Sequence, residues 1–270
     1  MNIVAKEQCK VNENQKISNP YGSIKKVVAV MSGKGGVGKS SVTAMLAASV
    51  KNSSNEVGIL DADITGPSIP KLYGLKSRAA MSDKALLPVE TVNGIKVMSI
   101  NLLLDREDEP VIWRGPILSN VVKQFYEEVN WGNLDYLFVD LPPGTGDVPL
   151  TVMQSLPIDS LIIVTSPQEL VSMIVKKAIH MAKYIGVDIL GFVENMSYVQ
   201  CPGCAEKIEL FGHSNAEKVA SETGITILGK LPLVPGVSKL SDDGKIELIN
   251  ETYPGFFEEV TRTFLREINS

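Results

Sequence analysis

Short runs of apolar, mostly β-branched residues recur along the chain, and the segments between several of them carry apolar residues at helical spacing. Runs of this kind are typical of strands that are buried on both faces of a sheet. They predict strands at residues 25–31, 56–60, 95–100, 136–139, 161–165, 189–193 and 225–229. The clearest helical segments are residues 40–52, 116–128, 169–185 and 215–223. This alternation predicts an α/β fold with a single doubly wound, mostly parallel sheet and helices on both faces.

The N-terminal residues differ in character from the rest of the chain. Residues 1–23 are polar and mixed in charge and end in a Pro-Tyr-Gly-Ser cluster, so we expect a flexible lead-in, with regular structure starting at Lys25. No linker-like segment follows residue 24, and residues 24–270 are therefore expected to form one domain. In doubly wound sheets ligands bind at the carboxyl ends of the strands, so the loops there are the candidate sites.

The composition limits the classes of function. Of the 270 residues, 44% are hydrophobic and 21% are charged, which is ordinary for a globular protein. The formal net charge of −5 disfavours a broad electrostatic attraction to nucleic acid or anionic lipid. The apolar runs, such as residues 161–164, are too short to span a membrane, and the N-terminus lacks the pattern of a signal peptide. We therefore expect a cytoplasmic protein with no nucleic acid and no membrane among its partners.

A glycine-rich loop follows the first predicted strand. Residues 33–40 match the pattern G-x-x-x-x-G-K-[ST] and lead directly into the first predicted helix. Glycines let the backbone turn its N–H groups toward phosphate oxygens, Lys39 supplies a charge for the β- and γ-phosphates, and Ser40 offers a hydroxyl to Mg²⁺. The pattern predicts a P-loop that binds ATP, with contacts from Gly33, Lys34, Gly35, Gly36, Val37, Gly38, Lys39, Ser40 and Ser41.

Lys34 is an additional lysine inside this loop. A phosphate loop does not need a charge at the position directly after Gly33. Two interpretations are open at this point. Lys34 is either a solvated surface lysine or a side chain that reaches a nucleotide from outside its own loop, including one bound by a neighbouring subunit.

Acidic residues follow two of the predicted strands. Asp61 and Asp63 come after the second strand at positions i and i+2, and Asp140 ends the fourth apolar run, in the segment DLPPGTGD. Near Mg²⁺ and ATP, such carboxylates can orient water or hold the water shell of the metal. A plain turn rich in Asp, Gly and Pro is the alternative for the first two. Asp147, at the end of the segment, is expected to cap the next helix.

Cys201 and Cys204 form a C-x-x-C pair, and the Pro and Gly between them direct both sulfurs to one point. Three interpretations compete. A redox disulfide of this spacing usually opens a helix in a thioredoxin-like fold, which is not the fold predicted here. Structural zinc needs four ligands, and His213 is a candidate third one, although a solvated or core histidine is commoner. A [4Fe–4S] cluster needs four thiolates, which two symmetric subunits can supply together.

Several motifs occur in a set order, and their combination is more specific than any one of them. They are GKGGVGKS at 33–40, DADITGPS at 61–68, WRGP at 113–116, DLPPGTGD at 140–147, VENMS at 193–197 and CPGC at 201–204. Together they resemble the Mrp/ApbC family of iron–sulfur cluster carrier ATPases over roughly residues 24 to 250. The first motif is similar to the deviant Walker A motif of the nitrogenase iron protein, MinD and ParA, which form nucleotide-sandwich dimers.

The resemblance implies roles for the residues of the nucleotide site. Lys34 would be the signature lysine that contacts the nucleotide bound by the partner subunit, and Lys39 the lysine that contacts the phosphates. Ser40 would be a magnesium ligand and Asp140 would support the magnesium. Asp63 would position the attacking water.

The resemblance also implies the remaining contacts and the partners. The pair of carboxylates after the second strand makes Asp61 a further candidate contact of the magnesium, and the resemblance implies that Asn195 would bind an adenine edge. Cys201 and Cys204 would bridge a labile [4Fe–4S] cluster across a homodimer. The implied task is to accept a cluster from an iron–sulfur scaffold and pass it to recipient apo-proteins, with slow ATP hydrolysis coupled to loading or transfer.

Other functions compete with this one. The main alternative is a MinD/ParA-like positioning ATPase in which the cysteine pair holds structural zinc as a clasp. A durable bridged cluster for electron transfer, as in the nitrogenase iron protein, fits a close C-x-x-C pair poorly. The amphipathic tail at 256–268 is mixed in charge, so we expect it to pack against the body of the protein and not on a membrane. Cys9 stands alone, which speaks against a second, N-terminal cluster.

Overall fold

The computed structural model describes residues 18–82, 84–104, 115–167 and 171–270. Most of the predicted lead-in lies outside these ranges, together with Cys9. The same holds for Trp113 and Arg114 of the WRGP motif and for Glu169, where a helix was expected to begin. The interpretations of those residues stay predictions.

A large central sheet and two small sheets carry the extended segments. The strands are β1 (Gly22–Ser32), β2 (Val57–Asp61), β3 (Ala80–Met81), β4 (Leu86–Leu87), β5 (Val89–Glu90), β6 (Lys96–Met98), β7 (Gly132–Asp140), β8 (Ser160–Thr165), β9 (Asp188–Glu194), β10 (Val199–Gln200), β11 (Lys207–Ile208) and β12 (Ile227–Lys230). The central sheet has 8 strands in the order β12-β9-β8-β1-β7-β2-β6-β5. Neighbouring strands run parallel except at the edge, where β5 is antiparallel to β6. The predicted mostly parallel α/β sheet is confirmed.

Helices cover both faces of the sheet. They are α1 (Lys39–Asn52), α2 (Ile69–Leu72), α3 (Gly115–Glu128), α4 (Asp147–Gln154), α5 (Val171–Ile185), α6 (Ala216–Thr223), α7 (Pro235–Asp242), α8 (Ile249–Thr252) and α9 (Glu258–Ile268), with 3₁₀ turns at Ile100–Leu102 and Ile246–Leu248. Within the described ranges, none of these helices has the length and apolar character needed to cross a bilayer.

Successive residues of β1 alternate between two hydrophobic clusters. Val28 and Val30 pack with α1, α2 and α9 on one face, whereas Ala29 and Met31 pack with α3, α4, α5 and α6 on the other. Because both faces of the strand are buried, apolar and polar residues do not alternate in the sequence, and the strand appears as a continuous apolar run.

Most strand bounds differ by a few residues from the predictions, and two of these differences have a clear physical reason. β1 begins at Gly22, so the expected start at Lys25 was wrong: residues 22–24 pair with residues 132–134 of β7, and this tertiary pairing outweighs their polar character. β6 ends at Met98, earlier than expected, because the chain turns into a 3₁₀ turn at Ile100.

Four short helices, α2, α4, α7 and α8, are not among the predicted helical segments. α2, α4 and α7 each carry a proline in the first turn, namely Pro70, Pro149 and Pro235. A proline there is compatible with a helix because the first N–H groups have no partner inside it. Helices of at most eight residues are also too short for a periodic apolar pattern to stand out.

The C-terminal helix α9 packs onto the sheet, as its mixed charge led us to expect. Phe264 is fully buried, and its ring centroid lies 5.6 Å from those of Tyr136 and Phe138 on β7. Val260 and Ile268 extend the same buried face of the helix. The tail is therefore part of the hydrophobic core.

Replacing Phe264 with alanine should lower the free energy of unfolding by about 3–5 kcal/mol, because it removes a ring from a closed core and leaves a cavity. Arg262→Ala, at an exposed position of the same helix, is the matched control and should change the free energy by less than about 0.5 kcal/mol. Urea unfolding followed by circular dichroism measures both. Equally small effects of the two substitutions would contradict the role of α9 in the core.

Candidate functional site

The glycine-rich loop lies between β1 and α1, at the carboxyl end of the central strand. Gly38 has a φ of 80°, in the left-handed region that other residues rarely adopt. A Cβ at this position would also lie 2.3 Å from Asn195 Nδ2. Val37 is buried and anchors the loop in the core, whereas Lys34 is exposed. Backbone geometry and a close neighbour therefore both require glycine at position 38.

A cavity of about 220 Å³ opens in front of the loop. Asp63, Ser68 and Pro143 line it together with residues of the loop. The predicted nucleotide contacts that line it are Gly35, Gly36, Gly38, Lys39, Ser40 and Ser41. In the described part of the chain, Gly33, Lys34 and Val37 are not part of this lining.

Asp140, the last residue of β7, is fully buried and contacts three side chains of α1. Lys39 Nζ lies 2.7 Å from Asp140 Oδ2, and Ser40 Oγ donates to the same oxygen at 2.5 Å. Thr43 Oγ1 donates to Oδ1 at 2.8 Å. The lysine side chain is 6% exposed, so water screens this ion pair little. The carboxylate thus holds the phosphate lysine and the serine hydroxyl together at the loop.

Asp61 ends the neighbouring strand β2 and lies in register with Asp140. Its Oδ2 accepts the N–H groups of Ser68 and Ile69 at 3.1 and 3.2 Å and the hydroxyl of Ser99 at 3.2 Å. Burial, together with the charge of Asp140, raises the pKa of Asp61 to about 7. These contacts indicate that Asp61 fixes the turn that leads into α2. Its predicted contact with magnesium stays a prediction.

Asp63 lies in the same turn but faces the cavity. Its Oδ1 accepts the hydroxyl of Thr65 at 3.0 Å and the N–H of Gly66 at 3.2 Å. Since these contacts orient a half-buried carboxylate toward the phosphate loop, the position suits a group that orients water.

Ser40 and Asp140 fit a magnesium ion by the chemistry of their donor atoms. A hydroxyl and a carboxylate oxygen are the hard ligands that Mg²⁺ prefers. Among the described residues around this cavity, the buried carboxylates of Asp61 and Asp140 face one buried ammonium, that of Lys39. A divalent cation would balance the remaining negative charge.

The segment after Asp140 corrects one prediction. Asp147 does not cap α4: the N-cap is Gly146, and Asp147 lies in the first turn, in a described helix that has no side-chain capping hydrogen bond. The N–H of Gly144 donates to Ser32 O at 2.8 Å. This bond ties the segment to the end of β1, directly before the phosphate loop.

Asn195 follows β9 and packs against the phosphate loop. Its Nδ2 donates to Val37 O at 2.9 Å. A cavity of about 300 Å³ lies beside it, lined by Gly38, Ser41, Asn195, Met196, Pro232 and Leu233 among others. No sequence motif singled out Pro232 and Leu233, and the available signal was their position just after β12, at the carboxyl edge of the sheet. Adenine binding by Asn195 stays a prediction.

Cys201 and Cys204 lie at the tip of an antiparallel hairpin formed by β10 and β11. The N–H of Cys201 donates to Glu206 O, and the N–H of Ala205 donates to Cys201 O, each at 2.9 Å. Cys204 is exposed and Cys201 is partly exposed, and within the described residues both are free thiols. The hairpin therefore presents the two sulfurs at the surface.

The backbone of the tip favours the thiolate form of Cys201. Hydrogen bonds from the N–H groups of Gly203 and Cys204, with a further contribution from the Cys204 thiol, lower the pKa of Cys201. The thiolate is the form that binds metals, and sulfur ligands select soft metals such as those of iron–sulfur clusters.

His213 does not join the cysteines. Its side chain is 94% exposed and pairs with Glu209, and this hydrogen bond raises the pKa of His213. In the part of the chain that the structure describes, no three His, Cys, Asp or Glu side chains come together as a metal site. The hypothesis of His213 as a third ligand is therefore wrong for a site within one chain, and the expectation of a solvated histidine is confirmed.

Comparison with known proteins finds one family over most of the chain. The family model described as ParA, NUBPL iron-transfer P-loop NTPase, matches residues 23–267. The iron–sulfur cluster carrier protein of Clostridium perfringens is 44% identical over 247 residues, which cover 88% of this chain and 87% of that protein. The protein of the same name from Methanocaldococcus jannaschii is 46% identical over 244 residues, covering 90% and 82%.

Solved structures agree with the fold. A nucleotide-binding protein from Archaeoglobus fulgidus, in complex with ADP and with Co, has a TM-score of 0.78 and 47% identity and covers 87% of this chain and 91% of that chain. The MinD cell division protein of Aquifex aeolicus has a TM-score of 0.63 at 19% identity, covering 91% and 98%. The second likeness shows the fold alone, and together the two confirm the predicted P-loop NTPase fold.

Lys39→Ala should abolish nucleotide binding or reduce ATP turnover by roughly 10²-fold or more, because the charge placed for the phosphates is lost. It also leaves Asp140 buried without its ion-pair partner, so the variant should be less stable. Lys71→Ala, at an exposed position of α2, is the matched control. Nucleotide titration and phosphate release measure the loss of function in the two variants. Thermal unfolding measures their loss of stability. Normal ATP turnover by a folded Lys39→Ala variant would contradict the role of Lys39 as the lysine that contacts the phosphates.

Proposed function

This chain belongs to the family of NUBPL iron-transfer P-loop NTPases, and we propose that it is an ATP-dependent iron–sulfur cluster carrier. The single observation that carries the proposal is a hairpin tip with two free thiols on a chain whose P-loop is built for a nucleotide. The carrier binds a labile [4Fe–4S] cluster between two subunits and transfers it to apo-proteins.

The nucleotide occupies the two neighbouring cavities in this proposal. Its phosphates lie in the cavity that Lys39 and Ser40 line, and its adenine lies beside Asn195. The Lys39 ammonium turns from Asp140 toward the phosphate oxygens, a short movement because both groups border the same loop. Lys34, exposed on the loop, extends toward the nucleotide of the partner subunit.

Hydrolysis depends on groups that face the phosphate cavity. Asp63, which lines the same cavity as the loop, orients the attacking water. Ser40 and Asp140 are the residues that would hold Mg²⁺, whose charge, when it is bound there, offsets the negative charge of the β- and γ-phosphates. We expect turnover to be slow, since the task of the nucleotide is to reset the carrier between loading and transfer.

The cluster is held by an incomplete site in each subunit. Cys201 and Cys204 give two thiolates per chain, and a [4Fe–4S] cluster normally takes four. A two-fold axis through the hairpin tips of two subunits would bring four thiolates together. Since the cluster then spans an interface, separating the subunits exposes it for transfer to a recipient. The proposed setting is the cytoplasm, where thiols stay reduced.

The runner-up is a positioning ATPase whose cysteine pair holds structural zinc. The likeness to MinD, at 19% identity, supports a shared fold and nothing more. The relatives at 44% and 46% identity named iron–sulfur cluster carrier protein favour iron as the cargo. Zinc remains an outcome that the next experiment can detect.

Cys201→Ala and Cys204→Ala should each abolish the cluster formed by anaerobic reconstitution with iron and sulfide, because one thiolate per subunit cannot complete the site. Visible absorption and iron analysis measure the cluster, and nucleotide titration should show unchanged ATP binding. Cys9→Ala is the matched control and should keep the full yield. An undiminished cluster in the Cys201 variant, or uptake of zinc alone by the parent, would refute the proposal.

A further inference from the structure

Glu194 is a buried carboxylate that the proposed chemistry does not use. It is the last residue of β9 and is 0% exposed. Its Oε2 accepts the hydroxyl of Ser197 at 2.5 Å, and its Oε1 accepts the hydroxyl of Ser214 at 3.0 Å. Burying a carboxylate lowers the stability of the fold. The hydrogen bonds from these two hydroxyls offset part of that cost and fix the position of the Glu194 side chain.

The two serines stand at opposite ends of the cysteine hairpin. Ser197 precedes β10, and its N–H donates to Leu231 O at 2.8 Å. Ser214 follows β11 and accepts the N–H of Ala216 at 3.3 Å, in the first turn of α6. One carboxylate therefore fixes both the entry and the exit of the segment that carries Cys201 and Cys204.

The residue next to Glu194 contacts the phosphate loop. Asn195 Nδ2 donates to Val37 O at 2.9 Å, and its amide lies where a Cβ on Gly38 would collide. Its backbone N–H donates to Thr165 O at 2.8 Å. Two consecutive residues at the end of one strand thus contact the nucleotide loop on one side and the base of the cysteine hairpin on the other.

We propose that Glu194 is a positioning residue that couples nucleotide binding to the placement of the cysteine pair. The inference rests on the proposed function, because it assigns a regulation to that same pair of sites. A nucleotide in the cavity beside Asn195 displaces the end of β9, and Glu194 passes the displacement to both ends of the hairpin through Ser197 and Ser214. The cysteine tip then differs in exposure between the nucleotide-free and nucleotide-bound protein.

The test measures how fast iodoacetamide alkylates the cysteine pair in cluster-free protein, with and without Mg²⁺ and a non-hydrolysable ATP analogue. All proteins carry Cys9→Ser so that only Cys201 and Cys204 report. In this parent the analogue should change the alkylation rate by about fivefold or more, the range of ordinary coupling between sites. In Ser214→Ala and Glu194→Gln the rates with and without analogue should converge, while affinity for the analogue is retained.

Two further variants separate coupling from a merely structural role. Ser214→Thr keeps the hydroxyl and should restore the nucleotide sensitivity. Ser221→Ala removes a hydroxyl from an exposed position of α6 and should behave as the parent. A structural defect alone would change the alkylation rates with and without the analogue by the same factor, so their ratio would stay the same.

Full nucleotide sensitivity in Ser214→Ala and Glu194→Gln would overturn the proposal, and so would a parent that binds the analogue without any change in alkylation. Neither result requires a cluster. Failure of the carrier function appears instead in the reconstitution experiment, so the two failures can be told apart.

Discussion

The buried ion pair between Lys39 and Asp140 is the interaction on which the nucleotide site depends. Asp140 also receives the hydroxyls of Ser40 and Thr43, so one carboxylate fixes the first turn of α1 against the end of β7. A second buried carboxylate, Asp61, lies in register beside it. Burial and the charge of Asp140 raise the pKa of Asp61 to about 7, while hydroxyl donors to both carboxylates and backbone N–H donors to Asp61 offset part of the cost of burying them. The negative charge of this pair favours a divalent cation, which would in turn offset the charge of the phosphates.

The cysteine pair differs from the nucleotide site because it is exposed and not buried. Its thiols lie at the surface, on a two-stranded hairpin that contributes little to the core. In the proposed dimer, each chain would supply two of the four thiolates that a cluster needs. The nucleotide site is thus built from buried side chains, whereas the cysteine pair is accessible to solvent. In the proposed carrier, this exposure would let the cargo be held without being trapped.

Sequence alone predicted the sheet, the phosphate loop and the cysteine tip, because each is a local pattern: apolar runs, glycine spacing and C-x-x-C. It did not predict contacts between distant segments. The start of β1 at Gly22 depends on pairing with β7, and the bond from Asn195 to the phosphate loop joins residues far apart in the chain. The hydrogen bond that Glu194 accepts from Ser214 joins residues on either side of the cysteine hairpin, and no local pattern in the sequence indicates it.

Native mass spectrometry of the anaerobically reconstituted protein tests the central claim most directly. The account predicts a dimer that carries one cluster of about four irons and that falls apart into cluster-free monomers when the iron is chelated. A monomer that retains a complete iron–sulfur cluster, or a dimer held together by zinc without iron, would contradict it.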